Sequence, residues 1–460
     1  MLRDDQTPLS IDDHHVLLSP QRWQRRVALW CGAILVALAA IAFAKGGELC
    51  YGLFVRMLGH SRWWPFLVTP LGFALLAWLT GGALRATRGS GIPQVIAALD
   101  REDDASFRTR LLSLPVSIAK IVLTLFAMLV GASVGREGPT VHTGAGLMVW
   151  LGRHLDQGDK KSLSRFALAG GAAGIAAAFN TPLAGIVFAI EELAGTFEHR
   201  FSGALLTAVM TSGMVSLWLI GDYAYFGEMT TSLPIGEGWI AVLVTGIVGG
   251  LAGGLFARAI VLVATGLPGI LGTFRRRSPV VFAGTCGLVL AAVGYFSGDA
   301  VYGTGYAQVR QLIDGSHAIT PWFGADKWVA NLVSYAAGIP GGIFSPALAV
   351  GAGMGSTLAP WLPHTSPTAV ILLGMAAYLS GVTQAPLTSA VISMELTDNH
   401  EFVVPIIAAC LLGRTFSTMV CKVPVYRAFA QQLTRERKAE LAQAGTPDLP
   451  GGFLSPSDEP

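Results

Sequence analysis

Two kinds of apolar run alternate along this chain, and together they restrict its fold more than any other feature. Residues 27–44, 66–84 and 240–264 form long apolar stretches, close to the roughly 20 residues that cross about 30 Å of hydrocarbon. Residues 89–99, 138–152, 181–193 and 341–353 are equally oily but short, and are broken by glycine or proline. A helix of such a length rises only about 16–22 Å and cannot cross alone. Irregular backbone at membrane depth survives only where protein or a wet cavity surrounds it. The pattern therefore predicts an all-α polytopic membrane protein containing broken half-helices, a feature of transporters.

Charge is scarce and placed at the ends of the runs. Only 13% of the 460 residues are charged and the net charge is +2, against about one-quarter charged in a soluble domain. That excludes an ordinary soluble enzyme and gives no basis for nucleic-acid binding. Basic clusters stand at Arg22, Arg25 and Arg26, at Arg85 and Arg88, at Lys160, Lys161 and Arg165, at Arg275–Arg277, and at Arg435, Arg437 and Lys438. The loop 221–238 carries acids and no Lys or Arg. The positive-inside rule then puts both termini in the cytoplasm. Residues 1–26 read as a polar cytoplasmic segment without a signal-peptide core, and 435–460 as a disordered tail too short for an appended regulatory domain. The five cysteines form no CxxC pair, so neither a zinc site nor a disulfide framework is expected. No HExxH stretch supports an enzyme.

The chain also repeats itself. The segment 119–146 lies over 326–353 without a gap, matching Lys120 to Lys327, Gly131 to Gly338, Gly135 to Gly342, Pro139 to Pro346, Gly144 to Gly351 and Gly146 to Gly353. Further on, Gly170 meets Gly374, Pro182 meets Pro386, Leu183 meets Leu387 and Glu191 meets Glu395. Two related halves, roughly 27–220 and 237–434, are the economical reading, with the functional site at their interface.

Three glycine-rich turns open short apolar helices: "GSGIP" (89–93), "GREGP" (135–139) and "GIFSP" (342–346). Proline suits a first helical turn, and glycine lets backbone approach a ligand. Free N–H groups and about half a positive charge at each helix start make an anion site without a full cation. Within one of these turns sits Glu137, a carboxylate in oily surroundings. Such a group costs about 2–4 kcal/mol and ordinarily has a function; the alternative is a helix cap paired with Arg136.

"GSGIP", "GREGP", "GIFSP" and the late "VPVY" (423–426), in this order, resemble the CLC chloride channel and chloride/proton antiporter family over roughly residues 25–430. The resemblance implies a CLC-type inverted repeat of tilted, partly broken transmembrane helices spanning 27–434, of the prokaryotic type without C-terminal CBS domains. It further implies a homodimer with one pathway per subunit in a bacterial inner membrane. Bound chloride is expected, and no cofactor or metal. Ser90, with Gly91, and Tyr426 would hold a central anion together with the backbone amides of Ile343 and Phe344. Glu137 would be the external gate, and Glu192 the internal proton-transfer group. Arg136 and Lys120 would shape the field. Structural alternatives stay open: Glu192 as an interfacial carboxylate, Tyr426 as an interfacial aromatic, Ser90 as a helix cap. Gln94 and Ile96 stand where close bacterial relatives often carry acids. Glu137 and Glu192 together favour an antiporter exchanging chloride against protons; a passive voltage- or pH-gated chloride channel needs only the gate.

Overall fold

A computed structural model describes residues 20–443, apart from 83, 156–159, 195–202, scattered positions between 222 and 237, 317–318 and 363. The acidic loop 221–238 therefore falls largely outside the described residues, as do the first 19 residues, the tail from 444, and the side chains of Arg22, Lys160 and Lys161. Every element described is helical. Seven helices are long and apolar enough to cross a membrane among the described residues, and the chain is a multi-pass integral membrane protein.

The first half runs α1 Pro20–His60, α2 Pro65–Gly81, α3 Ile92–Asp100, α4 Ala105–Leu112, α5 Leu114–Leu129, α6 Glu137–Leu155, α7 Lys160–Phe179, α8 Pro182–Phe188 and α9 Gly203–Ile220. The second runs α10 Trp239–Thr265, α11 Gly269–Arg277, α12 Pro279–Phe296, α13 Tyr306–Ile313, α14 Phe323–Ala336, α15 Phe344–Leu358, α16 Pro367–Thr383, α17 Pro386–Thr397 and α18 Val403–Val420. α19, Val425–Gln443, follows. The neighbours repeat as well: α1 packs on α7 and α9, and α10 packs on α16 and α18.

Glycine sets the closest crossings. A methyl group at Gly144 would strike the Gly170 carbonyl, and one at Gly351 would meet the Gly374 carbonyl. All four glycines are matched in the repeat, and small residues let membrane helices approach without a hydrophobic drive between them.

The halves meet around a two-fold relation. Gly135 N–H donates to the Gly342 carbonyl at 2.7 Å, and Gly342 N–H donates back to Gly135 at 2.7 Å. Glu191 accepts from the amides of Leu387 and Thr388 at 3.2 and 2.6 Å. Glu395 accepts from those of Leu183 and Ala184 at the same two distances. Reciprocal contacts of this kind are what a two-fold axis requires. Each carboxylate caps the other half's short helix, where free amides and the helix dipole favour negative charge.

Three boundaries differ from the sequence reading. The stretch expected as a short half-helix at 138–152 is the 19-residue α6, because Arg153 and His154 continue the helix past its apolar part. α1 begins at Pro20, inside the segment assigned to a polar N-terminus; there Arg26 lies 5.7 Å over the Trp23 ring and Trp23 lies 6.3 Å from Trp30. The tail assigned from 435 is helical to Gln443. Three of its charges are paired: Glu436 with Arg85 at 3.1 Å, Arg437 with Asp104 at 2.8 Å, and Glu440 with Arg110 at 2.7 Å, the Arg437 pair being buried and the other two half exposed.

Candidate functional site

Four helix beginnings converge beside the Gly135–Gly342 contact: α3, α6, α15 and α19. α3 follows a turn in which Gly89 and Gly91 take φ of 66° and 107°. Glycine adopts that left-handed conformation without penalty, and it brings Ser90 onto the first turn of α6. The approach is so close that a side chain at Gly138 would collide with the Ser90 hydroxyl. The Gly341 amide donates to the Gly89 carbonyl at 3.3 Å, tying this turn to the loop that opens α15.

Glu137 is the first residue of α6 and is 1% exposed. Its carboxylate crosses to the other half. Ser345 donates to it from Oγ at 2.5 Å and from its backbone N–H at 3.5 Å. A side chain at Gly135 would overlap the same carboxylate, so the glycine before it makes the fold-back possible. The amides of Ile343 and Phe344, at the start of α15, donate to no other group among the described residues. The carboxylate thus lies against a helix start whose amides are unspent.

Next to the first turn of α6, the Ser90 hydroxyl and the Tyr426 phenol approach one another. Both are buried, and neither makes a hydrogen bond among the described residues. Buried polar groups are nearly always satisfied, and leaving one unpaired costs about 1–3 kcal/mol. Two orphan hydroxyls side by side therefore mark a place for a hydrogen-bond acceptor. Tyr426 lies parallel to the Phe344 ring at 6.0 Å, and Phe344 meets Phe188 edge-on at 5.9 Å. This aromatic column joins the cradle to α8.

α8 loosens into a π-helical turn at Ala189–Ala194, which holds Glu191 and Glu192. Glu192 is buried, at 4% exposure. Tyr426 lies within electrostatic reach of both Glu137 and Glu192. Single π turns are rare and cluster at functional sites. Glu192 is thus set apart from the cradle, with Tyr426 between.

Lys120 and Arg136, expected from the sequence to shape the field, make contacts of their own beside the site. Lys120 is fully buried on α5, and its ammonium donates to the Gly89 carbonyl at 3.3 Å. Arg136 reaches the Ala44 carbonyl at 3.0 Å and Glu48 at 3.6 Å. Gln94 donates to the carbonyls of Ala86 and Arg88 at 3.3 and 2.7 Å, so it serves the backbone of the Ser90 turn. His142 gives one ring nitrogen to the Leu111 carbonyl at 2.8 Å and is a packed polar group.

Sequence reasoning missed Ser345, although it stands in the quoted "GIFSP"; its partner Glu137 is 208 residues away. It also missed that "GSGIPQV" (89–95) returns as "GTGYAQV" (303–309), a match visible by eye.

A family model described as "Voltage gated chloride channel" matches residues 71–418. The chain is 30% identical over 439 residues to the H(+)/Cl(-) exchange transporter ClcA of Cronobacter sakazakii, covering 89% of this chain and 90% of that protein. It is 28% identical over 427 residues to the ClcA of Klebsiella pneumoniae, covering 89% and 88%. Among solved structures, a slow cyanobacterial Cl-/H+ antiporter superposes with a TM-score of 0.74 at 21% identity, covering 91% of this chain and 100% of that one. A CLC-type fluoride/proton antiporter does so at 0.73 and 22%, covering 92% and 99%. At those identities the superpositions establish the fold, and the sequence matches establish descent: the chain belongs to the CLC family of voltage gated chloride channels.

Proposed function

We propose that the protein is a secondary active chloride/proton antiporter in which the Glu137 carboxylate and a chloride ion compete for one cradle. The observation that carries this reading is the carboxylate lodged on Ser345 at the start of α15, with two orphan hydroxyls in its neighbourhood. While charged, Glu137 is itself the anion held by helix N-terminal amides and closes the path. Protonation removes the charge the amides favour. The side chain then leaves, and chloride takes its place on the amides of Ile343, Phe344 and Ser345, with the hydroxyls of Ser90 and Tyr426 nearby. No full positive charge touches the anion, so binding stays weak enough for release; Lys120 and Arg136 act through the field.

Protons need a second route, because converging helix N-termini repel a cation. Glu192, buried in the π turn beyond Tyr426, is the hand-off group from the cytoplasmic side. A carboxylate at each end of the proton path is what separates an exchanger from a channel. Relatives sharing 28–30% of the sequence and named H(+)/Cl(-) exchange transporters support the same reading.

The same reading extends to assembly and location. Leu183, Leu387, Met214, Val404 and Leu411 are exposed large apolar residues on α8, α9, α17 and α18; this face pairs with a second copy, giving a homodimer with a pathway in each subunit. The basic ends of the apolar runs support a bacterial inner membrane location with both termini on the cytoplasmic side. Chloride is the only bound group expected.

The test is a pH record beside chloride-loaded proteoliposomes. An outward chloride gradient drives protons uphill in an exchanger. Chloride flux with no accompanying protons at any pH returns Glu192 to a structural role and leaves a channel.

A further inference from the structure

Arg427 belongs to none of the glycine-rich turns, yet it follows Tyr426 directly and touches the two other elements of the site. One guanidinium nitrogen donates to Asp100 Oδ1 at 3.4 Å. The other donates to the backbone carbonyl of Glu192 at 3.3 Å. Asp100 is the last residue of α3, the helix that Ser90 leads into. One side chain therefore spans the far end of the Ser90 helix, the π turn of Glu192 and the start of the Tyr426 helix.

The contact is suited to this task. A π turn disturbs the regular carbonyl ladder, and Arg427 supplies a donor to one of its carbonyls. Arginine's planar fork addresses two acceptors at once, which an ammonium on a flexible stem does not. The side chain is 26% exposed, against 42% for Asp100, so the link is partly shielded from water and salt.

We propose that Arg427 is a positioning residue for proton coupling: it fixes Glu192 relative to Ser90 and Tyr426, so that a proton handed inward from Glu192 arrives in step with the anion. The inference rests on the antiport reading above. It predicts a specific defect. Loss of Arg427 leaves the anion cradle standing and lets the π turn drift, so protons fall out of step while chloride still moves.

The experiment measures chloride and proton fluxes together in proteoliposomes for the wild type, Arg427→Met and Arg427→Lys, with halide binding measured on the same preparations. Arg427→Met keeps bulk and removes every donor; it lowers the number of protons moved per chloride by about tenfold or more, the scale of one charged hydrogen bond, while halide affinity stays near wild type. Arg427→Lys retains charge but reaches only one acceptor, and gives an intermediate ratio. Should Arg427→Met fail to fold, the lysine variant decides alone. A wild-type proton-to-chloride ratio in the variants overturns the proposal and leaves the antiport reading intact. A wild type that moves no protons removes both.

Discussion

The turn Gly89–Ser90–Gly91 and the turn Gly303–Thr304–Gly305 are built alike and end differently. Both place their glycines at positive φ, 66° and 107° in one, 65° and 85° in the other. Both rest on a buried lysine, Lys120 or Lys327. In the second, Lys327 is doubly satisfied by the carbonyls of Val301 and Gly303 at 2.8 and 2.7 Å. The Thr304 hydroxyl accepts from Tyr306 N–H at 3.3 Å. Tyr306, which replaces the isoleucine of the first turn, packs on Tyr225 and Phe226 at 4.7 and 5.8 Å. There the lysine and the threonine hydroxyl each have a partner. In the first turn Ser90 has none.

The same contrast runs through the other matched positions. Gly135 and Gly342 agree, as do Glu191 and Glu395, and these pairs hold the halves together. Glu137 faces Phe344 in the register, Gly138 faces Ser345, and Glu192 faces Leu396. The residues that pair across the two-fold stand where the halves agree; Glu137, Ser90 and Glu192, to which the proposal gives the chemistry, stand where they differ. Variants made in matched pairs test that division.

The largest effect is expected at Glu192. Glu192→Gln is expected to abolish proton transport while chloride flux and halide binding persist. Its mate Leu396→Ala costs about 2–5 kcal/mol of stability as a core truncation and leaves the proton-to-chloride ratio unchanged in the surviving protein. Paired flux and melting measurements decide; loss of protons in both variants would erase the distinction.

Next comes the orphan hydroxyl. Ser90→Ala removes a donor to a charged acceptor, worth about 1.5–3 kcal/mol, and so weakens halide binding by about tenfold or more. Thr304→Val, at the second turn, changes halide affinity by less than about twofold, because no anion faces it. Calorimetric titration with chloride separates the two.

Glu191→Gln and Glu395→Gln break equivalent caps and should lower stability equally, by about 1–2 kcal/mol each, without altering coupling. Unequal thermal shifts would show that the caps are not equivalent in energy.

The smallest effect lies outside the membrane, at Asp104. Burial alone would raise its pKa, but hydrogen bonds from Arg437, Ser106 and the Phe107 amide, with the Arg437 charge, outweigh it and hold the carboxyl well below its ordinary value. Its contribution is therefore complete above the unfolded value near about pH 4 and is lost only as pH falls through the lower folded value. Asp104→Asn should destabilise the protein by the same amount across pH 5–8, and that difference should shrink in strong acid. A difference that changes between pH 5 and 8 contradicts the assignment.

How far the sequence revealed this site depended on whether a residue acts locally. The turns around Ser90 and Glu137 were legible because glycine and proline encode a helix start within five residues, and the repeat gave the register of the halves. Ser345 was not, since a serine before proline looks like any helix opening until its partner across the two-fold is known. Phe344 was legible only through its backbone amide and Phe188 not at all, because nothing local marks their rings as a column leading to Tyr426. The stretch from 435 read as a disordered tail because the partners of Glu436, Arg437 and Glu440, which are Arg85, Asp104 and Arg110, lie more than 300 residues earlier; Arg427 went unnoticed for the same reason, its partner being Asp100.

The claim beneath all of this is that one cradle serves both the Glu137 carboxylate and the anion. Anomalous bromide maps of wild-type and Glu137→Gln crystals address it directly. The wild type should show bromide between Ser90 and Tyr426 but none against Ser345. Glu137→Gln should add a peak at the first turn of α15, where the carboxylate had been. Identical bromide positions in the two proteins would contradict the account.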